Sequence, residues 1–263
     1  MPPLTLATWN INSVRLREPL VADFLAAEAP DILCLQETKT PVEKFPRERF
    51  AELGYTHLVA RGEKGYNGVG ILSRVPIEDA GQADFCGKGD ARHVAARLED
   101  GTLIHNLYVP AGGDDPDREK NPKFAHKLDF VAEMADWQGE AGGAAIAVGD
   151  LNIAPLEHDV WSHKQMLKIV SHTPVECEAF EAAQAAGGWE DVVRRDIPEP
   201  AKLYSWWSYR AKDWALSDRG RRLDHVWARG VTAVPGSARI LKDWRGKEKP
   251  SDHVPVLVDF QIG

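Results

Sequence analysis

Cysteine is scarce in this sequence, and the cysteines that occur follow no disulfide or metal-binding pattern. Cys34, Cys86 and Cys177 are far apart, and the 263 residues contain no C-x-x-C pair. Disulfide frameworks normally use an even number of closely spaced cysteines, and structural zinc sites use paired ones. Cys34 falls within the apolar run 32–35 and is predicted to be a small buried side chain. The pattern argues against a disulfide scaffold and fits a reducing cytoplasm.

Long apolar runs are also missing. No stretch approaches the roughly 18 apolar residues that a membrane-spanning helix needs. The first ten residues, MPPLTLATWN, lack the basic region and apolar core of a signal peptide. We therefore expect a soluble, cytoplasmic protein without a membrane partner, and nothing in the pattern requires more than a monomer.

Positive charge is in deficit overall but concentrated in one segment. The chain has 32 Lys and Arg against 40 Asp and Glu, a net charge of −8, which argues against coating nucleic acid by bulk charge. Residues 202–222 have the opposite balance, because their basic residues outnumber their only acidic ones, Asp213 and Asp218. Those basic residues are Lys202, Arg210, Lys212, Arg219, Arg221 and Arg222. A local basic surface is therefore predicted there.

Short apolar runs alternating with amphipathic segments predict an α/β fold. At 43% hydrophobic residues, the chain can bury a substantial core. The predicted strands are 4–9, 32–35, 69–72, 103–109, 144–148, 223–227 and 254–260, and the predicted helices are 14–28, 121–137 and 176–186. Because no linker or short repeat interrupts them, a single domain spanning 1–263 is the economical interpretation.

Polar residues collect where the predicted strands meet loops. Strands end on Asn10 and Asn12, on Glu37, and on Asp150 and Asn152, while Asp224, Asp252 and His253 stand at strand entrances. Taken alone, each is more often a turn or helix-cap residue than a ligand. Ligands of α/β folds nevertheless bind beyond one end of the sheet, so distant carboxylates can converge there. A cluster of carboxylate and amide oxygens suits Mg²⁺ or Mn²⁺ rather than a structural zinc.

The Asp252-His253 pair differs from the other histidines of the chain. The nine histidines include no H-E-x-x-H pair, and His57, His105 and His126 are scattered. His253 follows an aspartate directly and precedes an apolar strand, an unusual place for two polar residues unless they face a site. A hard divalent ion with a His–Asp pair supplies what phosphoester hydrolysis needs, namely charge neutralisation and a positioned water.

With these residues in view, the sequence resembles the exonuclease III and apurinic/apyrimidinic endonuclease family, within the endonuclease/exonuclease/phosphatase superfamily that shares the DNase I-like fold. The motifs that carry the resemblance are TWNINSVRLR, PDILCLQETK, YNGVGILS, NLYVPAGG, GDLNIAP, YSWWSYR, RRLDHVWA and SDHVPV. They occur in the family's order and span nearly the whole chain. The fold implied is a four-layer α/β sandwich, with two mainly antiparallel sheets packed face to face and flanked by helices.

The resemblance also implies a role for each polar residue at the strand ends. Glu37 would be the principal metal ligand, helped by Asn10 and Asp252, with Asn12 close by. Asp150 would be the general base or water-orienting residue, and Asn152 would hold the water or phosphate beside it. Tyr108 would contact the phosphate, and His253, oriented by Asp224, would bind a non-bridging phosphate oxygen. Without the resemblance, Tyr108 is more simply a half-buried strand aromatic.

The basic segment gains a function from the same resemblance. Its tryptophans and arginines could contact phosphates and stack beside an unpaired nucleotide. Trp206 and Leu223 match positions that line the family's sugar pocket, and Arg210, Lys212 and Arg221 are the candidate phosphate contacts. Arg221 stands where the family often has an aromatic residue, which implies a differently built pocket.

A second departure from the family pattern lies after the GDLN motif. Abasic-site enzymes of the family read close to G-F-x-P-E-E-R there, whereas this chain reads VSHTPVECEAF. If that loop borders the site, His172 could crowd a flipped-out abasic sugar and leave a 3′ terminus accessible. Simple loop drift explains the change equally well.

The resulting expectation is a Mg²⁺-dependent DNA repair hydrolase, active with Mn²⁺ as well. It would act as an exonuclease and 3′-phosphatase on double-stranded DNA with 3′ ends or nicks, with incision at abasic sites left open. Two alternatives remain. One is a superfamily phosphatase acting on inositol phosphates or phospholipid headgroups, which the Trp/Arg segment disfavours. The other is a non-catalytic nucleic-acid-binding relative, which the intact set of polar residues disfavours.

Overall fold

The computed structural model describes residues 3–137, 143–211 and 213–262. Its strands are β1 (Leu4–Asn10), β2 (Ile32–Gln36), β3 (His57–Arg61), β4 (Val69–Ser73), β5 (Glu78–Asp79), β6 (His93–Arg97), β7 (Leu103–Tyr108), β8 (Ala145–Asp150), β9 (Glu190–Asp191), β10 (Trp206–Trp207), β11 (Gly220–Arg221), β12 (Asp224–Arg229), β13 (Thr232–Ala233), β14 (Arg239–Ile240) and β15 (Val256–Gln261). The α-helices are α1 (Glu18–Glu28), α2 (Arg47–Ala51), α3 (Pro122–Asp136), α4 (His163–Met166), α5 (Pro174–Ala186), α6 (Val192–Asp196) and α7 (Trp214–Ser217). Short 3₁₀ turns lie at Val42–Lys44, Phe85–Gly87, Glu157–Asp159 and Lys242–Gly246.

The strands form two large sheets. The first has the order β13-β15-β1-β2-β4-β3, with β14 also paired to β15, and the second has the order β5-β6-β7-β8-β12-β9. Within them, β1 with β2 and β7 with β8 are parallel, and the remaining pairs are antiparallel. The predicted pair of mainly antiparallel sheets is confirmed.

Strand β1 shows why the molecule is built in layers. Leu6 packs in the core between the two sheets, while Ala7 and Trp9 pack in a second core on the opposite face. Successive strand side chains point to opposite faces, so a strand buried on both sides supplies two cores in turn. The outer core is covered by α1 through Phe24, whose ring meets that of Trp9 edge to face at 5.3 Å.

The second sheet repeats this arrangement. Ile146 and Val148 of β8 face the inter-sheet core, and Ala147 faces a third core beneath α3 and α5. The order is therefore helix, sheet, sheet, helix, as predicted. Fully burying an aliphatic side chain of this size contributes roughly 1.5–3 kcal/mol, so the stability of the fold resides mainly in these apolar layers.

The helices begin where prolines and capping residues place them, and not where the apolar periodicity begins. Helix α1 was predicted from residue 14 but begins at Glu18, because Pro19 suits only the first turn of a helix. Helix α5 begins two residues before its prediction, since Thr173 and Glu176 form a capping box around Pro174. Strands β3 and β6 were not predicted; both carry half-buried or polar residues that mask an apolar run.

Several strand ends meet at one edge of the sandwich. The parallel pairs place Asn10 opposite Gln36 and Tyr108 opposite Asp150, at the carboxyl ends of four strands. The antiparallel pair β8/β12 places Asp224, at the start of its strand, directly opposite Asp150. This edge is where the polar residues of the sequence converge.

The cysteines and the helices of the described residues bear on the predictions about disulfides and membrane spans. The three cysteines are free thiols, and Cys34 is buried, where desolvation raises its pKa. No described helix combines the length and apolar character needed to cross a membrane.

Candidate active site

Asn10 connects the two sheets at this edge. Its buried amide nitrogen donates to Glu37 Oε1 at 2.9 Å and to Asp150 Oδ2 at 2.8 Å. Its oxygen accepts from the backbone N–H of Asn12 at 3.0 Å, which fixes the orientation of the amide. The Asn10 side chain therefore sets the distance between the carboxylates of Glu37 and Asp150, which are 113 residues apart in the sequence.

The loops that leave the strands turn sharply at three residues of the candidate site. Asn12, Glu37 and Asn152 have φ angles of 48°, 50° and 54°. Asparagine tolerates this left-handed region, but glutamate adopts it rarely and at a cost. The turn holds the Glu37 side chain toward Asn10 and Tyr108 instead of along its strand, and such residues concentrate at functional sites.

His253 lies between two aspartates. Its Nδ1 is 2.8 Å from Asp224 Oδ2, and its Nε2 is 3.7 Å from Asp150 Oδ2. Burial disfavours the charged imidazole, but the two carboxylates outweigh burial and raise the pKa of His253. Burial raises the pKa of Asp150, an effect that the neighbouring His253 opposes and the Asp224 carboxylate reinforces. At neutral pH the imidazole is therefore a cation held between acids.

Asn152 completes the surroundings of Asp150. Its backbone N–H donates to Asp150 Oδ1 at 3.0 Å, and its side-chain amide donates to Asp150 Oδ2 at 3.1 Å and to Val109 O at 2.9 Å. Gly149, with φ 144°, makes this approach possible, because a Cβ there would lie 1.9 Å from Leu107 O. The GDLN motif thus needs its glycine to bring β8 close to β7 at the site.

Glu37 is held by three donors. Besides Asn10, Tyr108 donates its hydroxyl to Glu37 Oε1 at 2.9 Å, and Lys39 Nζ lies 2.7 Å from Glu37 Oε2. Burial raises the pKa of Glu37, but Lys39 and Asn10 outweigh it, so the pKa is lowered and the carboxylate stays ionised. Burial, with Glu37 and Asp150 nearby, raises the Tyr108 pKa, so its hydroxyl keeps its proton.

Asp252 lies at the outer side of the group. Its Oδ1 accepts from Asn12 Nδ2 at 3.3 Å, and its Oδ2 accepts from Trp206 Nε1 at 3.0 Å. Lys39 Nζ is 2.6 Å from Asn12 Oδ1, which links this part of the site back to Glu37. Lys39 directly follows the QET motif but was not predicted as a site residue, because a single lysine in a loop gives no indication of function.

The residues present fit a hard divalent cation. Asp150, Asp224 and His253 are buried and offer one ligand atom each, all within 4.8 Å of one another, so together they could hold a metal ion once the imidazole had given up its proton. Asp224 Oδ1 is buried and has no hydrogen-bond partner among the described residues. Glu37, with Asn10 beside it, supplies a second group of oxygen donors. Carboxylate and amide oxygens are the donors that Mg²⁺ and Mn²⁺ prefer.

The Trp/Arg segment borders this group. The Arg221 guanidinium stacks on Trp206 at 4.9 Å and donates to Val170 O and Ser171 Oγ at 3.1 and 2.9 Å. Arg221 therefore lies against Trp206 as part of the wall of the site. Leu223 is 4% exposed and packs in a small cluster with Trp206 at its edge. Arg210 is exposed, and Lys212 lies outside the described residues.

His172 is buried, which favours loop drift over the steric role that the sequence left equally open. It is 1% exposed; its Nδ1 lies 2.5 Å from Ala154 O, and its Nε2 lies 2.8 Å from His163 Nδ1. The ring is enclosed beside Ala154 and His163, which argues against direct contact with a substrate. The sequence could not show this, because the direction of a loop side chain depends on contacts made after folding.

Comparisons with known proteins agree with this geometry. Residues 7–253 match the model of the Endonuclease/Exonuclease/phosphatase family. The chain is 30% identical to Exodeoxyribonuclease III of Haemophilus influenzae, over 97% of this chain and 98% of that protein. It superposes on an AP endonuclease from Archaeoglobus fulgidus with a TM-score of 0.89 at 32% identity, covering 98% of this chain and 100% of that one. It also superposes on the 3′ phosphatase NExo from Neisseria, bound to a product DNA hairpin, with a TM-score of 0.86 at 30% identity, covering 98% of this chain and 100% of that one.

Proposed function

Because the chain belongs to the exonuclease III and AP endonuclease family, within the endonuclease/exonuclease/phosphatase superfamily and with its DNase I-like fold, we propose that it is a Mg²⁺-dependent hydrolase of phosphoesters at DNA 3′ ends. Its activities would be removal of 3′-phosphates and of terminal nucleotides. One observation carries the proposal: His253 is held between Asp150 and Asp224 while Asn10 and Asn152 orient the Asp150 carboxylate.

Asp150 serves as the general base in this proposal. Its carboxylate takes a proton from the attacking water, and burial, which raises its pKa, makes it a better proton acceptor at neutral pH. Asn152 keeps one amide hydrogen on that carboxylate and so limits its rotation. A base held in one orientation is a large part of the rate advantage of an enzyme.

His253 stabilises the charge that develops on phosphorus. Protonated and fixed by Asp224, its imidazolium donates to a non-bridging phosphate oxygen, where negative charge accumulates in the transition state. Tyr108 is the second candidate donor, since its hydroxyl remains protonated beside Glu37. The His253 ring is already held by Asp224, whereas Tyr108 would have to turn its hydroxyl hydrogen from Glu37 to the phosphate.

Glu37 would hold the metal ion, with Asn10, Asp252 and Asn12 around it. When bound, the ion supplies Lewis-acid neutralisation of the phosphate charge. The ammonium of Lys39 beside Glu37 supports a role for this carboxylate in holding positive charge. Mn²⁺, which prefers similar ligands, is expected to substitute.

The DNA-binding surface includes Trp206, Leu223 and Arg221 at the site and Arg210 farther out. That a relative was solved with a DNA hairpin supports a duplex substrate with an accessible 3′ end. The Trp206 ring, half-buried and bonded to Asp252, offers an apolar face for a terminal sugar. We further propose one domain over 1–263, acting as a monomer on DNA ends, nicks or abasic sites in the cytoplasm.

The experiment that tests the proposal compares three labelled duplexes, which carry a 3′-phosphate, a recessed 3′-hydroxyl or an internal abasic site. Protein with Mg²⁺ should release phosphate and terminal nucleotides, and Asp150→Asn should not. Hydrolysis of inositol phosphates with all three duplexes left intact would overturn the proposal in favour of a different substrate class. Binding of DNA without hydrolysis in any metal would indicate a non-catalytic relative.

Abasic-site incision is a second candidate activity of the same site. The superposition on an AP endonuclease at 32% identity favours it, and the interior position of the His172 ring removes the steric argument against it. The third duplex measures it directly.

A further inference from the structure

Lys127 and Glu176 form an ion pair that is closed off from solvent. Lys127 Nζ lies 2.5 Å from Glu176 Oε1, and both side chains are 0% exposed. Enclosing two charges costs free energy, and apolar side chains of similar size at such positions are often as stable or more so. The stability of the fold is therefore a poor explanation for this pair.

The lysine end of the pair reaches the catalytic loop. Lys127 Nζ donates to Asn152 O at 2.7 Å and lies 3.4 Å from Ala111 O. Gly112 leaves room for the lysine stem, because a Cβ there would lie 2.8 Å from Lys127 Cδ. The lysine is thus enclosed along its length with its charged end directed at the Asn152 carbonyl.

Asn152 needs such support. With φ 54° it is in the left-handed region, and its side-chain amide must reach Asp150 Oδ2 and Val109 O at once. Asparagine tolerates this region, so the constraint on Asn152 is that its amide must keep both contacts together. The hydrogen bond from Lys127 to Asn152 O is one of the contacts that fix the backbone from which this amide projects.

The glutamate end of the pair holds the neighbouring loop. Glu176 accepts from the backbone N–H groups of Ser171 and Thr173 and from Thr173 Oγ1, at 2.7 to 3.1 Å. Ser171 O in turn accepts from Ala154 N at 2.8 Å, two residues beyond Asn152. The Asn152 carbonyl and, through Ser171, the Ala154 N–H are therefore both held by one enclosed charge pair.

We propose that Lys127, neutralised by Glu176, is a positioning residue that fixes Asn152 so that its amide orients the Asp150 carboxylate. The consequence for hydrolysis rests on the function proposed above, whereas the geometric claim does not. Loss of the lysine should lower kcat by about 10- to 100-fold, the effect of a small misplacement at a reacting centre. KM for DNA and the Mg²⁺ requirement should stay within about twofold, because Lys127 contacts Asn152 only through its backbone carbonyl and contacts none of the proposed metal ligands or residues of the DNA-binding surface.

The kinetic test uses three variants. Lys127→Met removes the donor, Lys127→Met/Glu176→Gln also removes the unpaired acid, and Val131→Ala shortens a buried side chain on the same helix α3. We expect the double variant to recover most of the melting temperature lost by Lys127→Met while its kcat stays low. We expect Val131→Ala to lose stability and keep kcat. If kcat instead follows melting temperature across the three proteins, Lys127 is only a structural residue.

A measurement without substrate separates this proposal from the proposed function. The side-chain amide NMR signal of Asn152, assigned by its disappearance in Asn152→Asp, should shift in both lysine variants and remain in place in Val131→Ala. A shift would support the positioning role even if the protein hydrolysed no DNA. An unmoved signal in both lysine variants would overturn it even if the DNA assays succeeded.

Discussion

The Asn10 amide nitrogen, on the first sheet, lies 2.8 Å from the Asp150 carboxylate on the second. Each sheet therefore supplies half of the candidate site, and the halves are joined by a buried hydrogen bond instead of by a loop. Such a bond between a neutral amide and a carboxylate is stronger than a neutral pair, and it is not weakened by water at a fully enclosed nitrogen.

Asp150→Asn should abolish most hydrolysis. The amide cannot accept the proton of the attacking water, so kcat for 3′-phosphate release should fall by about 10³-fold, within the range of general-base losses. The fold should survive because the side chain keeps its shape, which circular dichroism can check. Asp79→Asn, at a half-exposed surface ion pair, is the matched control and should keep full activity. Activity in Asp150→Asn within tenfold of the parent would exclude Asp150 as the base.

Activity should depend on a divalent metal through Glu37. EDTA should stop hydrolysis, and Mg²⁺ or Mn²⁺ should restore it. Glu37→Gln removes the ionised ligand and should raise the Mg²⁺ concentration for half-maximal rate by about tenfold or more, while saturating metal recovers part of the rate. Glu43→Gln, exposed on the same sheet's connecting turn, should leave the metal titration unchanged. Full activity in chelator would falsify the proposed metal dependence.

DNA affinity should depend on salt through Arg210. The side chain is exposed in the basic segment, so Arg210→Gln should weaken binding of every DNA sequence alike. Loss of one phosphate contact should reduce the slope of log K against log salt by about 0.9. Arg49→Gln, on α2 beside Glu18 and Glu52, is the control substitution. Equal slopes for parent and Arg210→Gln would place the phosphate contacts elsewhere.

Stability should fall on acidification because of two stacked, buried histidines. His93 Nε2 and His105 Nδ1 are 3.2 Å apart; burial lowers the pKa of His93 well below its usual value and that of His105 to about 4. In the unfolded chain both bind protons near pH 6.5. Above pH 6.5 the histidines are neutral in both states and do not lower the free energy of unfolding. As the pH falls from 6.5 toward 4, the unfolded chain binds protons that the folded chain does not, so the free energy of unfolding falls.

His105→Gln tests this dependence. Removing one such proton site should reduce the slope of unfolding free energy against pH, between pH 4.5 and 6, by about 1.4 kcal/mol per pH unit. Urea titrations at several pH values give the slope, and Ile104→Val is a control that lowers stability without altering proton binding. A slope equal to that of the parent would show that His105 takes up its proton in the folded state.

His172→Gly should act on stability and not on substrate choice. The change removes a buried ring that contacts Ala154 O and His163, leaving a cavity, so a loss of several kcal/mol is expected. The ratio of abasic incision to 3′-phosphate release should change less than twofold in protein that remains folded. A large rise in that ratio would restore the steric role that the sequence suggested.

The sequence allowed the layers and the chemistry of the site to be predicted, but not the contacts between its residues. Apolar runs such as LTLATW predicted strands, the resemblance to the family implied the layers, and GDLN and SDH supplied the candidate acids and imidazole. That Asn10 bridges Glu37 and Asp150 depends on how two sheets pack, which no local pattern encodes. Lys127 illustrates the limit further: within an amphipathic helix it is indistinguishable from a solvated lysine, yet it is fully enclosed.

Strand β1 sends Leu6 into the space between the sheets and ends on Asn10, which faces the same way four residues later. The hydrogen bond at the edge of the sheets tolerates displacements of only tenths of an ångström, and the close-packed core behind it transmits small changes in side-chain volume to that bond. Conservative changes such as Ile146→Val, distant from every reacting atom, can consequently leave a protein that is fully folded and poorly active. In this architecture the packing of the inter-sheet core determines the geometry of the site. Random mutagenesis screened for loss of activity should therefore identify buried aliphatic positions of this core as well as the acidic residues.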